Sequence, residues 1–68
     1  MTSQRLEFIE FRLYWEGWVN RGHITRRFRI STPQASGDLR RYQEITPANL
    51  HYDKRVKRYV ATRHFKPV

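Results

Sequence analysis

Ser31-Thr32-Pro33-Gln34 is the feature that most constrains the fold of this chain. It reads S-x-x-Q, a capping box with a proline in the first helical turn, where the missing N–H costs nothing. The spacing predicts a helix from Thr32 to about Gln43, with Ala35, Leu39 and Tyr42 on one face and Thr46-Pro47 stopping it. Just upstream, Asn20 is a good N-cap for a short helix over 21–28, with Ile24 and Phe28 as its inner face. Gly22 weakens that helix by up to about 1 kcal/mol relative to alanine. Only Arg29 to Ser31 separate the two helices. So short a turn forces them to cross steeply, in the helix-turn-helix manner, and frees the outer face of the second for a major groove.

The flanking segments complete the pattern. Thr2 and Ser3 offer cap oxygens for a helix over 4–16, and Gly17 suits its end. Leu6, Ile9 and Leu13 form one apolar stripe, while Phe8, Phe11 and Trp15 form another on nearly the opposite face. Either the second stripe is an interaction face for another chain or domain, or Phe8 and Trp15 cover the same small core from its edges. Trp18-Val19 allows only a stub of strand. After Pro47-Ala48-Asn49, two β-prone runs flank Lys54-Arg55-Val56-Lys57, which reads as a β-hairpin over 50–61 with a basic tip. Arg63 to Val68 has no pattern and reads as a tail or linker, leaving 1–62 as the domain. The expected fold class is α+β, mainly α: a winged helix-turn-helix of three helices and a C-terminal hairpin wing.

Charge narrows the partner. The chain has 68 residues and a net charge of +8, but Met1–Gly17 carries −1 and Trp18–Val68 carries +9. A positive field confined to one part of a small domain points to a polyanion. On the helix over 32–43, the exposed arc holds Pro33, Ser36, Gly37, Arg40 and Arg41, with Thr32 and Gln34 at the open end and no carboxylate. Gln34 can pair bidentately with adenine, and Thr32 and Ser36 can donate or accept. Small Gly37 permits close approach, and Arg40 and Arg41 suit phosphates, or guanine. Lys54, Arg55, Lys57 and Arg58 would form the wing, lying on the duplex backbone or in the minor groove, and Arg21 and Arg29 would add backbone contacts.

Other classes find less support. There is no cysteine, and His23, His51 and His64 lack the spacing of paired ligands on one helix, so no metal site or cofactor is expected. No nucleophile–base or paired-carboxylate arrangement suggests an enzyme. No apolar run nears the ~20 residues of a membrane span, and no signal peptide is visible, so a cytoplasmic, nucleoid-associated protein is expected. A single-stranded RNA-binding module stays open, because ten aromatic residues accompany the charge. So does a protein-interaction module docking through the helix over 4–16.

The stretch Arg5-Leu6-Glu7-Phe8-Ile9-Glu10-Phe11-Arg12-Leu13-Tyr14-Trp15-Glu16-Gly17, the block Ile30-Ser31-Thr32-Pro33-Gln34-Ala35-Ser36 with Asp38-Leu39, then Arg41-Tyr42-Gln43-Glu44 and Tyr52-Asp53-Lys54, carries a resemblance over almost the whole chain. It resembles the N-terminal winged helix of WYL-domain transcriptional regulators, nearest to the repressors that accompany bacterial phage-defence islands. The resemblance implies operator binding, normally as a homodimer, and a longer protein with a ligand-sensing WYL domain and a C-terminal dimerisation region. This chain would then be a piece of such a regulator, or one without its sensor. Two residues depart from the pattern. Arg29 stands where such turns usually have glycine, and a left-handed arginine costs roughly 1–2 kcal/mol; Trp18 stands where a polar or basic residue is usual.

Overall fold

A computed structural model describes residues 3–67. Helix α1 is Gln4–Glu16, and Ser3 caps it by accepting the Leu6 N–H at 3.4 Å; the other candidate cap, Thr2, lies outside the described residues. Gly17 ends it in the left-handed region, at φ 82°, with its N–H on the Arg12 and Leu13 carbonyls. Strand β1, Trp18–Val19, follows, then α2, Arg21–Phe28, and α3, Thr32–Ile45. Strands β2, Leu50–Asp53, and β3, Arg58–Ala61, form the hairpin.

The α2–α3 turn is built from two caps. Arg29 closes α2 at φ 55°, ψ 46°, donating to the Thr25 carbonyl at 2.8 Å. This is the left-handed conformation that the glycine of similar turns adopts without strain. Ser31 then opens α3: its Oγ accepts the Gln34 N–H at 3.2 Å, and Gln34 Oε1 accepts the Ser31 N–H at 3.0 Å. Helix α3 runs two residues beyond the expected Gln43, because Thr46 ends it, donating through its N–H and its hydroxyl to the Tyr42 carbonyl.

The stub of strand is a full member of the sheet. The order is β1-β3-β2, all antiparallel, with Trp18 opposite Val60, and Tyr52 opposite Tyr59. Alternation puts Val19, Leu50, Tyr59 and Ala61 on one face, where Val19 and Leu50 enter the core, and Trp18, Arg58 and Val60 on the opposite one. Leu6, Ile9, Leu13, Val19, Ile24, Ala35, Leu39, Tyr42 and Leu50 form the buried core. Polar ties lock its edges. Arg5 Nε lies 2.9 Å from Asp38, joining α1 to α3. The Tyr42 hydroxyl donates to Glu10 at 2.9 Å and accepts from the buried Asn49 at 3.3 Å. Burial raises the Tyr42 pKa, so the phenol remains a donor.

The segment expected as tail or linker is tied to this body over its described part. Asn49 Nδ2 donates to the Lys66 carbonyl at 2.7 Å, and its Oδ1 accepts the Lys66 N–H at 3.0 Å. The Thr62 hydroxyl donates to the Ala48 carbonyl, and Phe65 packs against the core.

Candidate nucleic-acid interface

Helix α3 presents its N-terminal half outward because Ala35, Leu39 and Tyr42 are committed to the core. Thr32, Pro33, Gln34, Arg40 and Arg41 are exposed, and Ser36 and Gly37 are half-buried. A Cβ added at Gly37 would meet nothing within 4 Å, so this glycine does not serve internal packing. Two expectations change. Gln34 Oε1 is held by Ser31, so only its amide nitrogen is free, and bidentate pairing with adenine would require the cap to open. The two added residues of α3 also place Glu44 on the exposed side, four residues after Arg40, so the carboxylate-free arc ends before the helix does.

Between the start of α2, the first turns of α3 and the hairpin lies an open groove of about 460 Å³. Arg21, Thr32, Ser36, Lys57 and Arg58 line it, together with Gly22, Tyr52 and Tyr59. Five residues picked out by the sequence therefore share one concave surface. Pro33, Gln34, Gly37, Arg40 and Arg41 do not line it, nor do Lys54 and Arg55 at the hairpin tip. Arg29 caps the far end of α2, about 12 Å from Arg21 for an eight-residue helix.

The hairpin tip has its own order. Asp53 accepts the Arg55 N–H at 2.9 Å, which holds its carboxyl below the usual carboxylate range. Lys57 takes the left-handed conformation at φ 55°, turning the chain back into β3. The Arg55 side chain is 91% exposed, with only a loose 3.7 Å approach to Asp53.

Two features escaped the sequence reading. Asn20 and His23 form a second capping box: Asn20 Oδ1 accepts the His23 N–H at 3.1 Å, while His23 Nδ1 faces the Asn20 N–H at 3.2 Å. Histidine is not a usual partner at that position, so the N-x-x-H spacing carried little signal. Arg12 Nη2 meets the other ring nitrogen at 3.2 Å. Burial first, then the charges of Arg12 and Arg26, lower the His23 pKa. The second feature is Trp18, whose ring lies 4.1 Å from the Arg58 guanidinium, 5.3 Å from that of Arg12 and 4.8 Å from the His23 ring.

On α1 the second apolar stripe divides. Phe8 packs edge-on against Phe28 at 5.6 Å and covers the core, whereas Phe11 and Trp15 are 57% and 65% exposed. Tyr14, not expected there, joins them at 4.9 Å from Trp15. Among the described residues, no three His, Asp or Glu side chains group to hold a metal, and no helix is long and apolar enough to cross a membrane.

Three helices with a tight turn between the second and third, and an antiparallel sheet whose hairpin flanks the third, define a winged helix-turn-helix domain. The family model for the BrxR transcriptional regulator winged helix-turn-helix domain matches residues 1–68, and the chain belongs to that family. It is 49% identical over 66 residues to the DNA-binding transcriptional repressor CapW of Escherichia coli (strain KTE188) and to that of Pseudomonas aeruginosa. Identity is 47% to CapW of Stenotrophomonas maltophilia. Each match covers 97% of this chain but 22% of the relative, so the chain spans about a fifth of the length of the relatives it matches.

Proposed function

We propose that this chain reads double-stranded DNA as the DNA-binding domain of a bacterial transcriptional repressor acting in the cytoplasm at the nucleoid, with no catalytic role and no cofactor. The observation that carries the reading is the groove in which Arg21, Lys57 and Arg58 converge beside Thr32 and Ser36. A helix N-terminus with small polar side chains, flanked by cations, suits a major groove and the phosphates on its edge. Thr32, Ser36 and the free amide of Gln34 meet base edges, and Pro33 and Gly37 allow close approach. Arg40 and Arg41 take phosphates or a guanine. The wing cations Lys54, Arg55, Lys57 and Arg58, with Arg21 and Arg29, hold the backbone. In a longer regulator the domain pairs with a second copy to read two half-sites, and the Phe11–Trp15 face packs against a second copy or another domain.

Exposed Tyr52, 5.0 Å from Tyr59 beside the groove, supports single-stranded RNA as the second reading, since bases stack on such rings. Anisotropy titrations with a random DNA duplex and an RNA single strand of equal length, over a range of salt, separate the two. The DNA reading expects tighter duplex binding that weakens steeply with salt, and a salt slope smaller by about 1 in Arg55→Ala. Tighter single-strand binding at every salt would overturn it.

A further inference from the structure

Trp18 is the residue that the DNA-reading surface has not absorbed. It is opposite Val60 in the β1–β3 pairing. Arg58, two residues before Val60 on β3, therefore shares its face of the sheet as a diagonal neighbour, within reach of a long side chain. The guanidinium lies 4.1 Å from the ring centroid. Among the described residues, no ion pair or hydrogen bond holds that guanidinium, since the cross-strand Asp53 is engaged by Arg55 instead.

That combination has a chemical consequence. A carboxylate would also hold the arginine, but it would occupy the N–H fork and cancel the charge. An aromatic face holds the guanidinium through its π surface and leaves the in-plane N–H groups free for two-point contact with an anion. Two further groups pack on the ring, the Arg12 guanidinium at 5.3 Å and the His23 ring at 4.8 Å, so α1, α2 and β3 all meet on it. Arg55, by contrast, is 91% exposed at the tip and has no such support. Arg58 also lines the groove beside Thr32 and Ser36.

Resting on the DNA-binding reading above, we propose that Trp18 is a positioning residue for Arg58, pre-orienting its guanidinium for a backbone phosphate beside the bases met by α3. Trp18 itself does not touch the duplex. It restricts the arginine before binding, so less freedom is lost when the phosphate arrives.

A double-mutant cycle on a random DNA duplex tests this. Arg58→Ala should weaken binding and reduce the salt slope by about 1. Trp18→Ala removes no charge, yet should weaken binding about three- to tenfold, the cost of immobilising one long side chain on binding. In the Arg58→Ala background the same change should cost nothing further. Additive losses overturn the proposal. If Trp18→Ala is unfolded by circular dichroism, Trp18→Phe and Trp18→Leu replace it. Phenylalanine retains an aromatic face and leucine only bulk, so the Phe variant should bind more tightly, and only while Arg58 is present. Equal affinities overturn the role. A wild-type chain that binds no duplex at low salt overturns the DNA reading and this role with it. Duplex binding with an additive cycle removes Trp18 alone.

Discussion

Gln34 serves two ends with one side chain. Its oxygen closes the cap on Ser31, and its amide nitrogen is left at the exposed start of α3. Gln34→Glu separates the two tasks. A glutamate at this position retains the capping oxygen and suits the helix dipole, so unfolding stability should hold or rise slightly. It loses the donor and places a negative charge against the duplex, so affinity should fall about tenfold or more. Urea denaturation beside duplex titration checks both, and unchanged affinity would remove Gln34 from the interface. Arg29 poses the opposite trade. Its left-handed backbone is strained for any side chain. Arg29→Gly should raise stability by up to about 1 kcal/mol, some of the relief being offset by the freedom of glycine in the unfolded chain. Thermal unfolding reads the gain, and duplex binding should weaken because one cation is lost.

Helix α2 is the shortest helix and depends on its cap. The His23 ring faces two donors, the Asn20 N–H and the Arg12 guanidinium. A neutral ring can accept from one of them, and a protonated ring from neither. The folded pKa lies below the ordinary 6.5, through burial first and then the charges of Arg12 and Arg26. Its sign follows from linkage: below 6.5 the unfolded chain binds the proton first, so stability is lost as pH falls through that value toward the folded pKa. Above 6.5 the group contributes no pH dependence. His23→Gln retains a cap acceptor without a titrating ring. It should flatten the fall in urea midpoint over this window relative to wild type, and parallel profiles would contradict the account. The elements differed in how far the sequence revealed them. The start of α3 was legible because Ser31, Pro33 and Gln34 together match the capping box and first-turn proline of a helix start. Its end was not, since Thr46 can cap as well as break a helix. Strand β1 has two residues and thus no period; it exists through pairing with β3, about forty residues later.

At the scale of the molecule, the order of elements and most of the core followed from apolar spacing. The long-range ties did not. Asn49 reads as a loop residue, yet it is buried and fastens Lys66 to Tyr42. The Trp18–Arg58 stack depends on strand register that no local pattern encodes. The cationic residues were individually visible, but which of them shared a groove was a product of the fold. No residue of helix α1, which carries the exposed aromatic residues, lines the groove formed by α2, α3 and the wing. The most direct test is a backbone-amide NMR titration of the chain with a random DNA duplex at low and moderate salt. Shifts should cluster at Arg21–Gly22, Thr32–Arg41 and Lys54–Arg58 and fade as salt rises. Shifts absent there, or centred on Phe11, Tyr14 and Trp15, would contradict the DNA-reading account and assign the working surface to α1.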